Sequence, residues 1–95
     1  MYGEFMESIG LLEVQALAAA IEGLDAMLKA ANVRLIHIER RLGGRLVTIV
    51  VAGSVSAVTS AVEAGKNAAA KIGNVKCCEV IARPHEEVVK FFKKI

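Results

Sequence analysis

The chain has 95 residues, of which 55% are hydrophobic and 4% aromatic, and its formal net charge is +2. This length suits one domain with a modest core. The small net charge and the absence of tryptophan argue against a nucleic-acid-binding surface. No apolar run has the length of a membrane span and no signal peptide pattern opens the sequence, so we expect a cytosolic protein without a membrane partner.

The first third of the chain predicts a strand followed by a helix. Residues 1–5 are interpreted as a leader in which Tyr2 and Phe5 are candidates to dock on a neighbouring subunit. Residues 8–14 are almost continuously apolar, which indicates a strand that is central or covered on both faces. Residues 15–31 then follow a helical period. The helix carries two apolar stripes, one of large residues (Leu17, Ile21, Leu24 and Leu28) and one of mostly small residues (Ala16, Ala20, Gly23, Met27 and Ala30).

A helix that is apolar on most of its circumference needs two partners, its own sheet and a further surface. The same reasoning applies to the composition, because small apolar residues exceed what one small core can bury. The sequence therefore indicates contacts between subunits.

A glycine-centred basic turn joins the next two predicted strands, residues 33–39 and 46–52. A Gly-Gly pair between β-branched runs is a hairpin signal, and the backbone N–H groups of Gly43 and Gly44 can face a solute directly. Arg40, Arg41 and Arg45 surround this bare backbone. A turn of this kind is more often a solvated hairpin tip. The alternative hypothesis is that several copies of the turn meet around an axis and form an opening for small anions, which the family resemblance described below favours.

The second half of the chain repeats the pattern of helix and strand. Ser54 is the expected N-cap of a helix that runs to Ile72, and Gly73 and Asn74 end it. Residues 75–81 predict the fourth strand, and Pro84 ends it and favours an extended Arg83. Residues 85–94 predict a short closing helix. The expected core stripe of the long helix consists of Val55, Val58, Val62, Gly65, Ala69 and Ile72, and its solvated side of Thr59, Glu63, Asn67 and Lys71.

The order β-α-β-β-α-β-α predicts an α+β fold of the split βαβ, ferredoxin-like type. We expect a four-stranded antiparallel sheet with helices packed on one face. Residues 1–95 are interpreted as a single domain, with a tail at residues 93–95.

The sequence offers no catalytic constellation. His37 and His85 have no nucleophile at motif spacing, and the acidic residues are scattered over helix faces. The glycine turn lacks the phosphate-binding patterns and leads into a strand. Cys77 and Cys78 are adjacent, so we expect reduced, packing cysteines and no disulfide. We therefore expect no enzyme activity, no metal and no cofactor.

Several motifs together carry a resemblance to a known family. The chain resembles the single-domain, hexamer-forming shell proteins of bacterial microcompartments, as in carboxysomes and the propanediol and ethanolamine compartments. The resemblance covers residues 6–92 in uninterrupted order. It rests on M-E-S-I-G-L-L-E at residues 6–13, L-D-A-M-L-K-A-A-N-V at 24–33, G-G before L-V-T at 43–48, G-S-V-S-A-V at 53–58, residues 61–65, and I-A-R-P-H at 81–85.

The resemblance implies a flat homohexamer that tiles edge to edge with other shell hexamers around enzymes. Its partners would be those hexamers, encapsulated enzymes and small anionic metabolites in a central pore. Residues implied at the pore are Arg41, Leu42, Gly43, Gly44 and Arg45. Residues implied at the hexamer edge are Lys29, Asn32, Arg83, Pro84 and His85.

The sequence departs from the family pattern at two places. One extra residue falls at or before the pore turn, which leaves open which arginine faces the axis. Residues 14–17, Val-Gln-Ala-Leu, replace the usual threonine and glycine near the first helix. Two other classes share the split βαβ pattern: a ligand-binding regulatory domain acting as a dimer, and an RNA-binding module, which the lack of strand aromatics disfavours.

Overall fold

The computed structural model describes residues 7–94 of the chain. Within them the order is β-α-β-β-α-β-α, as predicted. The expected leader, residues 1–5, lies outside the described part. The elements are β1 (Ser8–Gln15), α1 (Leu17–Ala30), β2 (Arg34–Glu39), β3 (Leu46–Gly53), α2 (Val55–Ala69), β4 (Asn74–Ile81) and α3 (Glu86–Lys94).

The four strands form one antiparallel sheet in the order β2-β3-β1-β4. The apolar strand β1 is central, as its composition predicted. Leu12 of β1 is opposite Ile49 of β3 on one side and Cys78 of β4 on the other. Both the α+β class and the antiparallel sheet are therefore confirmed.

The main core lies between the sheet and the helices α1 and α2. Leu12 and Val14 of β1 and Ile49 of β3 are buried there with Met27 of α1 and Ala61 of α2. Paired strand residues share a face, so these side chains form one continuous layer. Two helices thus cover one face of the sheet, as expected.

The closing helix α3 lies on the other face. Ile9, Val50 and Ala52 alternate with the main-core residues and form a second buried cluster, against which Phe92 of α3 packs. This differs from the expectation that the helices share one face. The physical reason is that these apolar residues of β1 and β3 also need cover from water.

Glycines let α1 and α2 approach closely, with Met27 of α1 packed directly against Gly65 of α2. A Cβ atom at Gly65 would lie 2.6 Å from Cγ of Met27, and one at Gly23 would lie 3.3 Å from the Gly65 carbonyl oxygen. Neither glycine position has room for a larger side chain, because Cδ2 of Leu12 already lies 3.0 Å from the Cβ position of Gly23 and 3.1 Å from that of Gly65. Three of the four residues in the large stripe of α1 face outward: Leu17, Ile21 and Leu28 are 45%, 51% and 44% exposed. The fourth, Leu24, is half-buried and packs against the main core.

The predicted core stripe of α2 is right in its middle and wrong at its ends. Val58, Val62, Gly65 and Ala69 are buried or nearly so, whereas Val55 and Ile72 are 52% and 59% exposed. These two residues lie beyond the area that α1 and the sheet cover.

The ends of α2 are fixed by hydrogen bonds. Ser54 is the N-cap, as predicted, because its Oγ accepts a hydrogen bond from the Ala57 N–H at 3.2 Å. The helix ends at Ala69, earlier than predicted, and the Gly73 N–H donates to the Ala69 carbonyl at 2.9 Å.

Over residues 7–94, no helix combines the length and the apolar character that crossing a membrane requires.

Candidate functional site

The turn between β2 and β3 closes with a tight backbone bend. The Leu46 N–H donates to the Gly43 carbonyl at 3.1 Å, so Gly44 and Arg45 are the central residues of the bend. Both have positive φ, 59° and 60°, as hairpin turns of type I′ require. The predicted turn is confirmed, but its central pair is shifted by one residue from Gly43 and Gly44.

Arg45 therefore occupies a position that favours glycine. Left-handed backbone costs a residue with a Cβ atom about 1–2 kcal/mol. Gly43 also has a positive φ, 75°, and a Cβ atom built at Gly43 or Gly44 meets nothing within 4 Å. No other group of the described residues thus covers the side of either glycine on which a Cβ atom would stand.

The side chains of the turn point a positive charge at solvent. All six residues from Arg40 to Arg45 are exposed. Within residues 7–94, no carboxylate forms an ion pair with Arg40, Arg41 or Arg45. The charges on this turn are consequently available to an external anion.

Glu39 fixes the start of the turn. Its Oε2 accepts a hydrogen bond from the Arg41 N–H at 3.0 Å, and its Oε1 accepts one from His37 Nε2 at 3.1 Å. The bond from the Arg41 backbone, followed by that from His37, lowers the pKa of the Glu39 carboxyl. The Glu39 carboxylate thus fixes the backbone of Arg41 and also offsets part of the positive charge of the Arg41 side chain.

Gln15, the last residue of β1, holds the end of the turn. Its Nε2 donates to the Gly44 carbonyl at 2.8 Å, and its Oε1 accepts from Asn74 Nδ2 at 3.4 Å. Sequence reasoning did not assign Gln15 to the site. Two features of the sequence could have pointed to it. Gln15 is a long amide side chain at the end of a mostly apolar strand, and it lies in residues 14–17, where the chain departs from the family pattern.

Two hollows adjoin the turn. One of about 310 Å³ lies between the start of α1 and the start of β3, and its rim carries Arg40 and Arg45. The other, of about 290 Å³, is lined by His37, Ile38, Glu39, Arg40 and Arg41. Arginine side chains thus line part of both hollows.

The predicted edge residues lie at the opposite end of the sheet. Gln15 is opposite Leu46 beside the turn, whereas Ser8 is opposite Gly53. Eight residues of extended strand separate these ends by roughly 25 Å. Because α1 and β4 both run away from the turn, Lys29 and Arg83 follow to the far end.

Lys29 and Asn32 are both exposed at the end of α1. Lys29 Nζ lies 2.8 Å from Oδ2 of Asp25, the i,i+4 pair that the sequence predicted. The hydrogen bond to Asp25 and then its charge raise the pKa of Lys29. The ammonium group is thus held by its own helix and remains accessible.

Arg83, Pro84 and His85 form a fixed corner after β4. The predicted extended Arg83 is wrong, since its φ is 52°, in the left-handed region. Pro84 is buried, which anchors the corner and directs the chain into α3. His85 is exposed and its Nδ1 accepts a hydrogen bond from the Glu87 N–H at 3.1 Å at the start of that helix.

Other chemistry is sparse in the described part of the chain. No three His, Cys, Asp or Glu side chains of residues 7–94 are grouped so that they could hold a metal ion. Cys77 and Cys78 are free thiols. Cys78 packs against the main core as expected, whereas the expected packing role is wrong for Cys77, which is exposed on the other side of the strand.

Comparison with known proteins places this geometry in a family context. A family model described as the BMC domain matches residues 8–84. The chain is 48% identical to the bacterial microcompartment shell protein PduA of Citrobacter freundii over 88 residues, covering 93% of this chain and 94% of that protein. It is 42% identical to the shell protein EutM of Salmonella typhimurium, covering 92% and 90%.

Two further relatives extend the comparison. The chain is 44% identical to the carboxysome shell protein CsoS1B of Hydrogenovibrio crunogenus, covering 93% of this chain and 91% of that protein. A crystal structure of a microcompartment protein from Desulfitobacterium hafniense is similar with a TM-score of 0.82 and 38% identity over 94% of this chain. This chain spans 48% of the length of that solved chain.

Proposed function

Since the chain belongs to the BMC domain family and is a shell protein of bacterial microcompartments, we propose that it forms a cyclic homohexamer with the turn of residues 40–45 at the sixfold axis. Its role is structural rather than enzymatic, and its place is the microcompartment shell in the bacterial cytoplasm. We also propose that residues 6–92 form its single shell domain.

The observation that carries this proposal is the separation of the two predicted sites. The exposed basic turn and the exposed residues Lys29 and Arg83 lie at opposite ends of the same strands. A subunit with one end at an axis and the other at a rim needs this arrangement. The radial direction of the hexamer then runs along the strands.

The outward stripe of α1 supplies the contact between neighbouring subunits. Leu17, Ile21 and Leu28 are about half exposed in the single chain, and α1 runs from the turn end to the rim end. A ring with one kind of interface joins two different surfaces of each subunit. Ile72 is 59% exposed and lies between α2 and the edge strand β4, and we assign it to the second surface.

The rim residues suit contacts between hexamers. Arg83 is exposed on a corner anchored by buried Pro84, so its guanidinium starts from a fixed backbone and can bind several carbonyl groups of a neighbour. Lys29, Asn32 and His85 are exposed at the same end. We assign these five residues to the edge along which hexamers tile.

The charge of the turn favours anions at the axis. Arg40, Arg41 and Arg45 together with Glu39 give about +2 for each subunit, so six subunits bring roughly +12 to the opening. The backbone N–H groups of the glycines are hydrogen-bond donors, which also attract anions. Small carboxylates, phosphates or bicarbonate should therefore enter more easily than cations.

Light scattering and electron microscopy of the purified protein test the assembly. We expect a hexamer in dilute solution and a hexagonal lattice at high concentration. A stable dimer would reject the shell assembly and favour a ligand-binding regulatory domain.

Charge reversal tests the pore. We expect the double variant Arg41→Glu and Arg45→Glu to lose bromide from the turn, measured by anomalous scattering from crystals soaked in rubidium bromide. Lys66→Glu with Lys90→Glu is the matched control, because it changes the same net charge on α2 and α3. Bromide occupancy that is equal in both double variants would reject an anion-selective turn.

A further inference from the structure

Gln15 connects three parts of the sheet at the turn end. In the register of the strands it is opposite Leu46 of β3 and Asn74 of β4. From this central position its side chain reaches the Gly44 carbonyl, 29 residues away in sequence, at 2.8 Å. The contact joins a central strand of the sheet to the exposed turn.

The hydrogen bond changes what the glycine backbone offers to a solute. The Gly43 carbonyl accepts from the Leu46 N–H at 3.1 Å, and the Gly44 carbonyl accepts from Gln15. In contrast, the N–H groups of Gly43 and Gly44 have no acceptor anywhere in residues 7–94. The carbonyl groups of Gly43 and Gly44 therefore already have hydrogen-bond donors, whereas their N–H groups are available to a solute.

We propose that Gln15 is the positioning residue that makes this turn prefer anions over cations. This inference rests on the proposed pore at the axis. A free Gly44 carbonyl would attract cations, as rings of carbonyl groups do in cation-selective filters. By donating to that carbonyl, Gln15 weakens its pull on cations and holds the two N–H groups toward the opening.

The side-chain chemistry needed for this role is narrow. The residue must donate a hydrogen bond, carry no charge that would alter the ring, and reach from the end of β1 to the turn. An amide on a three-carbon side chain meets all three conditions. The Oε1 of the same amide accepts only a long hydrogen bond from Asn74 Nδ2, at 3.4 Å, whereas the bond from Nε2 to the Gly44 carbonyl measures 2.8 Å.

Gln15→Met tests the proposal, because methionine has a similar length and no donor. Crystals of wild-type and variant hexamers are soaked in rubidium bromide, and the bromide and rubidium occupancies at the turn are measured by anomalous scattering. We expect the ratio of bromide to rubidium to fall about three- to tenfold, as the loss of one net hydrogen bond implies. Asn74→Ala is the matched control, since it leaves the donor to Gly44 in place, and its ratio should stay within about twofold of wild type.

The outcomes separate this inference from the proposed function. Wild-type crystals without a bromide preference would overturn the anion-selective pore itself. A wild-type preference that persists in Gln15→Met would leave the pore standing and overturn the role of Gln15. If Gln15→Met does not form hexamers, Gln15→Leu, which also lacks a donor, is measured by the same criterion. Hydrogen exchange of the Leu46 amide, which donates to the Gly43 carbonyl and closes the bend, gives an independent readout, which should speed up in either variant and stay unchanged in Asn74→Ala.

Discussion

At the scale of single residues, the carboxylate of Glu39 decides how firmly the turn begins. It accepts hydrogen bonds from the Arg41 N–H and from His37 Nε2, and these bonds lower its pKa. A carboxyl group whose pKa is lower in the folded state binds fewer protons there than in the unfolded chain. Its stabilising contribution is therefore present above the unfolded pKa and is lost as pH falls through the folded one.

We predict that acid loosens the turn through Glu39. As pH falls from about 5 to about 3, hydrogen exchange at the Arg41 amide, corrected for its intrinsic rate, should lose protection in the wild type. Glu39→Gln should show weaker protection at neutral pH and little further change in acid. Glu63→Gln, at an exposed carboxylate of α2, is the control and should follow the wild type. An acid response in Glu39→Gln as large as that of the wild type would show that another group governs the turn.

Arg45 and Arg83 show where residue-level prediction stops. The sequence predicted a bend at glycine and an extended residue before Pro84, because those are the local preferences of the chain. Both arginines instead have positive φ, 60° and 52°. At Arg45 the closing hydrogen bond from Leu46 to Gly43 sets the register of the hairpin, and this register places the arginine second in the bend. At Arg83 the buried position of Pro84 fixes the corner. Such tertiary constraints are not visible in local sequence patterns.

At the scale of elements, periodicity predicted the strands and helices but not which apolar stripe of α1 is buried. The large stripe of Leu17, Ile21, Leu24 and Leu28 would ordinarily be assigned to the core, but of these four only Leu24 packs against it. In the structure the small stripe with Gly23 is buried, because α1 lies very close to Gly65 of α2. The distance between two helices depends on both sequences at once, so one helix alone cannot reveal it. The same limit applies to Gln15, whose partner Gly44 is known only from the strand register.

We predict that this close helix contact tolerates no branched side chain. Gly65→Val should destabilise the protein by about 2 kcal/mol, because even its Cβ atom would lie 2.6 Å from Cγ of Met27 and 3.1 Å from Cδ2 of Leu12. Urea unfolding at a fixed protein concentration measures the effect. Asn67→Val, at an exposed position of the same helix, controls for the helix propensity of valine and should change stability by less than about 0.5 kcal/mol. Equal stability of the two variants would mean that α1 and α2 can separate without cost.

At the scale of the whole molecule, the exposed stripe of α1 connects fold to assembly. Each of its three side chains still exposes about half of its surface, and burial against a neighbour would contribute about 1 kcal/mol for each one. In the proposed hexamer the stripe would run between the basic turn at the axis and the rim, so a neighbour that covers it would also set the distance between adjacent turns. The proposal therefore couples assembly and the width of the opening through one surface.

We predict that Ile21→Glu with Leu28→Glu abolishes the hexamer and leaves the subunit folded. Both residues are exposed in the single chain, at 51% and 44%, so charged side chains fit the monomer, whereas an unpaired carboxylate in an apolar interface is strongly unfavourable. Light scattering should show the mass of a single 10.1 kDa chain, with a circular dichroism spectrum like that of the wild type. Thr59→Glu with Asn67→Glu adds the same charge to the exposed polar side of α2 and should still form hexamers. A hexamer that survives the α1 changes would place the subunit interface on another surface, and the turns would then need a different route to the axis.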